Sequence, residues 1–136
     1  MLNPKRTKFK KLQKGRIKKN LNYKSNELKF GHYGIKALEK GYITAKQIEA
    51  TRRTITNTMK RSGKVWIRIF PAIPITKKPI EVRMGKGKGN VHSWICKVQG
   101  GKVLFEVSGN NSYLIIKALH KAINKLPIST KLIIMK

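Results

Sequence analysis

The sequence predicts an α+β domain in which a mainly antiparallel sheet packs against two helices. Three observations support this prediction. Residues 44–61 show the apolar spacing of a helix and contain neither Gly nor Pro. Residues 64–70 alternate in side-chain character as a strand does. Residues 91–98 and 102–107 resemble two strands joined by a tight glycine turn, which indicates a hairpin.

A basic segment precedes this domain. The length of 136 residues suits one domain, which we place at 30–136, after an arm at 1–29. The opening MLNPKRTKFKKLQKGRIKKN holds nine Lys and Arg and no acid, so it buries little surface by itself. It is either a disordered solubilising tail or an arm that orders on a polyanion. Phe9 and Tyr23 favour the second interpretation, because aromatic rings stack on bases.

The first elements of the domain are a strand and a helix. The stretch FGHYGIKALEKGY, residues 30–42, predicts a strand that contains a turn or bulge and ends near its last glycine. Thr44 and Gln47 form a capping box, so the helix over 44–61 starts there. Gly63 stands where a C-terminal cap belongs.

The two faces of this helix have different chemistry. The apolar stripe consists of Ala45, Ile48, Ile55 and Met59. The stripe of cations, about 120° or more away, consists of Lys46, Arg53 and Lys60. Arg52 lies at the edge of the apolar stripe, and Glu49 can pair with Arg53 at the i, i+4 spacing. Such a row of cations is either a solvated face or a phosphate-binding face, and the charge of the chain favours phosphate.

The rest of the chain completes the sheet. The predicted elements are strands at 64–70, 91–98, 102–107 and 128–134 and a second helix at 112–126. The inward residues of that helix are Ile115, Leu119, Ala122 and Leu126. Residues 71–79 carry three of the five prolines and predict an extended lead into the next loop rather than a central strand. Gly100 and Gly101 form the predicted hairpin turn, and Pro127 stops the second helix.

Charge excludes most enzyme classes. The 32 Lys and Arg against 5 Glu give a net charge of +27, and there is no Asp. No two glutamates lie within nine residues of each other, so a catalytic carboxylate pair is not expected. The histidines share no metal-ligand spacing, and Cys96, the only cysteine, is expected to be a small buried hydrophobe. We therefore expect no enzyme activity, no metal and no cofactor.

The apolar runs exclude a membrane partner. None approaches the roughly 18–20 residues that span a bilayer. The basic N-terminus is not followed by the apolar core of a secretory signal, so we expect no presequence. A protein with this charge repels itself unless something anionic surrounds it, so a nucleic acid is the expected partner.

The stretch VRMGKGKGN, residues 82–90, combines three glycines with three cations. Glycine allows close backbone approach, and Lys and Arg bind phosphate. The glycine spacing fits neither the Walker loop nor the dinucleotide-binding fingerprint, which excludes a nucleotide cofactor there. The loop is therefore either a site for nucleic-acid phosphates or a solvated hairpin tip.

Several stretches resemble one family, the sixteenth protein of the bacterial-type large ribosomal subunit. They are MLNPKRTKFKKLQKGR, ITAKQIEATRR, GKVWIRIFPAIPITKKPIEVRMGKGKGNV, GGKVLFEV and KLPISTKLI. The sequence departs from the family pattern at Ala72 and Ile73 and at 110–113, and residues 17–28 match poorly.

The resemblance implies a structural constituent of the large subunit that packs among rRNA helices and beside other ribosomal proteins. It also implies that the loop points toward the peptidyl transferase region and the A-site tRNA. The loop residues that match are Arg83, Met84, Gly85, Lys86, Gly87, Lys88 and Gly89. The residues expected to bind rRNA are Lys5, Arg6, Lys8, Lys10, Lys11, Arg16, Lys46, Arg52, Arg53 and Lys60.

Composition suggests a source. The chain has 25 Lys against 7 Arg and is rich in Ile and Asn, residues with A- and U-rich codons. We therefore expect an organellar ribosome, with a mitochondrion favoured over a plastid and an AT-rich bacterium as the other source. The competing function is a free basic DNA- or RNA-binding architectural module. A cationic membrane-active protein is disfavoured, because the apolar helix faces are expected to pack against strands.

Overall fold

A computed structural model describes residues 2–135, so the first residue of the predicted arm and the last residue of the predicted domain lie outside the described residues. Nine elements follow one another in this part of the chain. They are β1 (Tyr33–Ala37), β2 (Gly41–Thr44), α1 (Ala45–Thr58), β3 (Lys64–Ile67), β4 (Ile73–Lys77), β5 (Asn90–Val98), β6 (Val103–Ser108), α2 (Ser112–Ile123) and β7 (Thr130–Ile134). No helix between residues 2 and 135 has the length and apolar character needed to cross a membrane.

The strands form two antiparallel sheets, which confirms the α+β class. The four-stranded sheet has the order β3-β6-β1-β7, and the three-stranded sheet has the order β2-β5-β4. All strand pairs are antiparallel. The helices α1 and α2 contact each other, and each also contacts strands.

The predicted hairpin between residues 91–98 and 102–107 is wrong. β5 pairs with β2 and β4, whereas β6 pairs with β3 and β1, so the two strands belong to different sheets. At the turn between them, Gly101 N–H donates to the Ala37 carbonyl over 2.7 Å, and Ala37 N–H donates to the Lys102 carbonyl over 2.9 Å. Both edges of each strand are already occupied by other partners, so the glycine turn carries the chain from one sheet to the other.

Two other strand predictions need correction. Residues 30–42 hold two strands, β1 and the start of β2, and the glycine near their end begins β2 rather than ending a strand. The expected irregularity is present, as a register shift of β1 against β6 after Ile35. Residues 73–77, expected to be a lead into the loop, are the strand β4. β4 is an edge strand, where Pro74 can lack an N–H donor without breaking a central ladder.

Helix α1 begins as predicted and ends earlier. The Thr44 side chain accepts from Gln47 N–H, and the Gln47 side chain accepts from Thr44 N–H, so the capping box is confirmed. The helix ends at Thr58, and Lys60 and Arg61 take left-handed φ angles of 52° and 62°. Lys60 therefore lies beyond the helix and not on its cationic stripe, and Gly63 is not the residue that ends the helix. The predicted apolar stripe is buried as a whole.

The core lies between the helices and the sheets. Its buried members include Ile35, Ile48, Ile55, Phe105, Val107, Ile115 and Leu119. α2 begins after Asn111, whose side chain accepts from Leu114 N–H over 3.1 Å. Cys96 is buried on β5, as expected, and burial raises the pKa of its thiol.

Candidate nucleic-acid interface

The arm (residues 2–29 of the structure) is extended and lies against the domain. The Tyr42 hydroxyl on β2 donates to the Gly15 carbonyl over 2.9 Å, and the Lys14 ammonium lies 4.2 Å from the centroid of the Tyr42 ring. Further along, Asn22 N–H donates to the Gly100 carbonyl over 2.9 Å. These contacts hold the arm beside β2 and the turn after β5 although it contains no helix or strand.

The cations predicted in the arm face solvent. Lys5, Arg6, Lys8, Lys10, Lys11 and Arg16 are all exposed. Within residues 2–135 the ion pairs number three, and none of them includes an arm residue. Phe9 and Tyr23 are exposed as well. The arm therefore presents charge and aromatic rings whose binding capacity the protein itself does not use.

The glycine–lysine loop (residues 78–89) joins β4 to β5. Met84 at its tip is 97% exposed. Gly85, Lys86 and Gly87 have φ angles of 108°, 52° and 82°, so three successive residues take the left-handed conformation. Gly85 and Gly87 have open space where a Cβ would lie. The Lys78 ammonium donates to the Gly85 carbonyl and bends the loop back on itself.

The third glycine of the loop has a different role. A Cβ on Gly89 would lie 2.6 Å from the Lys77 carbonyl oxygen, well inside the contact distance of real atoms. Gly89 therefore allows the two chains of the hairpin to meet closely at the base of the loop. The glycines at 85 and 87 serve backbone conformation, and the glycine at 89 serves packing.

The arm and the loop cross each other and share two hydrogen bonds. The Lys11 ammonium donates to the Lys88 carbonyl over 2.9 Å, and the Lys88 ammonium donates to the Leu12 carbonyl over 2.7 Å. The two cations lie close together, and neither is in an ion pair with a carboxylate of the described chain. Like charges this close repel, and a phosphate between them would relieve the repulsion.

Glu49 organises the arginines of α1. Arg52 makes a two-pronged contact with Glu49, with Nε to Oε2 at 3.0 Å and Nη2 to Oε1 at 2.7 Å. Arg53 donates from Nε to Glu49 Oε1 over 3.0 Å. The hydrogen bond from Arg52 is the main reason that the pKa of Glu49 is lowered to about 2. The same bond raises the pKa of Arg52.

This arrangement separates the roles of the two arginines. Both nitrogens of Arg52 that face Glu49 are engaged, whereas Arg53 uses only Nε and its side chain is 75% exposed. Arg53 is therefore oriented by Glu49 while the end of its guanidinium stays open to a phosphate oxygen. A guanidinium held in one orientation loses less entropy when it binds.

The predicted residues fall into two regions of the surface. Asn3, Lys46 and His92 line one cleft, and His92 also lines a second cleft at the base of the loop. Lys46, the start of the arm and the loop are therefore neighbours. Lys60 lies at the other end of α1, roughly 20 Å away along a helix of 14 residues. Arg53 lies between these two ends.

Sequence reasoning missed several contacts of this surface. It did not find the crossing of arm and loop, the Lys14 contact with Tyr42, or the Lys78 bond that shapes the loop. No local pattern signals them, because the partners are backbone carbonyls or rings distant in sequence. Among residues 2–135 no group of three or more His, Cys, Asp or Glu is placed to hold a metal ion.

Comparison with known proteins gives consistent matches. Residues 4–133 match the family described as "Ribosomal protein L16p/L10e". The chain is 54% identical over 133 residues to "Large ribosomal subunit protein uL16" of Maricaulis maris, covering 98% of this chain and 96% of the relative. It is 52% identical over 133 residues to the protein of the same description from Psychrobacter arcticus, with the same coverage.

Proposed function

Because the chain belongs to the family described as Ribosomal protein L16p/L10e, we propose that it binds large-subunit rRNA through the arm, the exposed side of α1 and the loop. The protein is a structural constituent of the large ribosomal subunit, and its family is not one of enzymes. Ribosomal RNA and neighbouring ribosomal proteins are its partners there. The free architectural module loses its support, since the family match spans nearly the whole chain.

One observation carries the rRNA proposal, which is the crossing of arm and loop at Lys11 and Lys88. There the protein brings two ammonium groups together without an acid to neutralise them. Lysine binds phosphate as a point charge, and RNA is recognised largely through its backbone and shape. The left-handed backbone at 85–87 gives the loop a defined shape that an RNA groove could fit.

The loop is also proposed to approach the A-site tRNA. Two features support this finer proposal: the resemblance of residues 83–89 to the family loop, and the projection of the tip into solvent. The tip has no apolar contacts that would give it a role in the core. Its side chains are therefore available to a second RNA once the arm and α1 bind the first.

The source of the protein stays a prediction. Composition favours an organellar ribosome, with a mitochondrion ahead of a plastid, whereas the two relatives described above are bacterial and do not support an organelle. The large ribosomal subunit is the location that the family membership gives.

A matched charge experiment tests the rRNA proposal. The double variant Lys86→Ala/Lys88→Ala removes two cations from the loop, and Lys117→Ala/Lys121→Ala removes two exposed cations from α2. Filter binding to large-subunit rRNA should weaken several-fold more for the loop variant. The parent should show a log–log salt slope of roughly −7 to −9 if about ten phosphates are neutralised. Equal losses for the two variants, or a parent slope near −2, would contradict the proposal.

A further inference from the structure

An aromatic pair lies on the four-stranded sheet, away from the proposed arm, loop and α1 contacts. The rings of Phe30 and Trp66 have their centroids 6.2 Å apart and their planes at 21°, which is a stacked arrangement. Phe30 is 58% exposed. The Lys64 ammonium lies 5.3 Å from the centroid of the Trp66 ring, and the guanidinium of Arg68 lies 5.2 Å from the centroid of the Phe30 ring.

A buried carboxylate fixes Phe30 in this exposed position. Glu106 is fully buried and is in an ion pair with Arg68. Its Oε2 atom accepts three backbone N–H groups, from Lys29 at 3.0 Å, Phe30 at 2.6 Å and Gly31 at 3.0 Å. The backbone at Phe30 is therefore held rigidly over β6. A large apolar ring that is both exposed and held in place is preorganised for binding.

The charge around the pair indicates an anionic partner. On the same face of the sheet, Gly34 pairs with Glu106, and two residues further along β1 Lys36 pairs with Lys131 of β7. Lys64 at the start of β3 is exposed, and Arg68 neutralises Glu106. The face therefore carries three lysines beside two aromatic rings, which is the combination that single-stranded nucleic acid uses.

We propose that Phe30 and Trp66 form a stacking platform for one unpaired nucleotide of rRNA, whose phosphate is bound by Lys64. This inference rests on the proposed rRNA-binding function and adds a site for a base to it. The Lys64 ammonium now lies over the Trp66 ring, a contact that is weak at an exposed position. A base would take the place of this cation, since stacking is the stronger interaction, and the released ammonium would bind the adjoining phosphate.

Tryptophan fluorescence tests the platform in the full chain. The chain has two tryptophans, so Trp94→Phe leaves Trp66 as the reporter. A seven-nucleotide single-stranded RNA of mixed sequence should quench Trp66 fluorescence as it binds. The same backbone without bases should bind through its phosphates and quench far less. Equal quenching by the two oligonucleotides, or none by either, would overturn the proposal, the second being the result expected if the pair docks another protein.

A matched pair of variants separates the platform from an ordinary exposed ring. Tyr113 on α2 is 70% exposed and also lies near an ammonium, that of Lys117, but it has no stacked partner ring among the described residues. Phe30→Ala should weaken binding of the mixed oligonucleotide about tenfold, whereas Tyr113→Ala should leave it unchanged. Phe30→Leu, which keeps an apolar cover over Glu106, should lose binding to a similar extent while circular dichroism stays that of the parent.

The result also distinguishes this inference from the function beneath it. If full-length rRNA still binds with a steep salt dependence while Phe30→Leu binds the oligonucleotide like the parent, only the platform is wrong. If rRNA binding itself lacks salt dependence, the proposed function fails with it.

Discussion

Lys11 of the arm donates its ammonium proton to the carbonyl of Lys88 in the loop, over 2.9 Å and across 77 residues of sequence. The return bond from Lys88 reaches the neighbouring Leu12 carbonyl over 2.7 Å. The loop is therefore braced by the arm, and the shape of the candidate site depends on a segment that has no secondary structure of its own.

Removing this brace should loosen the loop without unfolding the domain. Lys11→Met keeps the aliphatic stem and deletes the donor, and a hydrogen bond of this kind contributes about 1 kcal/mol. Hydrogen exchange of residues 80–88 should become about two- to fivefold faster. The matched control is Lys10→Met, which removes the adjacent exposed cation and should leave exchange in the loop as it is. Identical exchange in the two variants would mean that the bond does not constrain the loop.

The ion pairs of Glu49 should give α1 a dependence on pH. Because the folded pKa of about 2 is below the usual 4.5, the stabilisation is complete above pH 4.5 and is lost as pH falls through about 2. The arginines are 38% and 75% exposed, so screening limits the effect. Glu49→Gln should therefore cost about 0.5–1 kcal/mol at pH 7.

Urea unfolding at pH 7 and pH 2 measures this contribution. The difference between parent and Glu49→Gln should shrink toward zero at pH 2. Glu81→Gln, an exposed change in the loop, is the control and should have little effect at either pH. A Glu49→Gln difference that persists at pH 2 would show that packing, not charge, is responsible.

Two glycines of the loop should respond differently to alanine. Gly89→Ala places a Cβ 2.6 Å from the Lys77 carbonyl oxygen and should cost about 1–3 kcal/mol by forcing the hairpin base apart. Gly87→Ala meets open space and carries only the strain of a positive φ of 82°, about 1 kcal/mol. Urea denaturation of both variants checks the order, and a larger loss for Gly87→Ala would mean that the close approach at Gly89 is not needed.

Helix α1 should separate folding from RNA binding. Ile55 is fully buried, so Ile55→Asp should unfold the domain at a cost of several kcal/mol. Arg53→Glu should keep the circular dichroism of the parent and weaken rRNA binding. Lys121→Glu on α2 reverses one charge in the same way and should weaken binding less. If Arg53→Glu binds rRNA like Lys121→Glu, the oriented guanidinium of Arg53 has no particular phosphate partner.

Local features were predictable from the sequence, and contacts between distant segments were not. Thr44 and Gln47 lie three residues apart, so their capping box fixed the start of α1 correctly. The end of α1 was placed too late, because Lys60 and Arg61 take left-handed angles that local propensity assigns to glycine. The pairing of β5 was misassigned, since its partners are residues 41–44 and 73–77 rather than the strand that follows it.

The candidate site shows the same division. The cations and glycines of the loop were evident from composition, and their exposure follows from their polarity. Glu106 was counted only as one of five acids, although it binds Arg68 and three backbone N–H groups of residues 29–31. Its burial depends on β6 lying inside a sheet, which a prediction of a simple hairpin could not supply.

The central claim is that the loop reaches RNA in the assembled large subunit, including the A-site tRNA, and directed hydroxyl-radical cleavage tests it most directly. Met84 is almost fully exposed, so Met84→Cys in a Cys96→Ser chain can carry a tethered iron chelate without disturbing the core. Tyr113→Cys in the same background is the control. We predict cleavage of large-subunit rRNA and of the acceptor end of A-site tRNA from position 84, and much weaker tRNA cleavage from position 113. Subunits that assemble normally but show no more tRNA cleavage from position 84 than from position 113 would contradict the account.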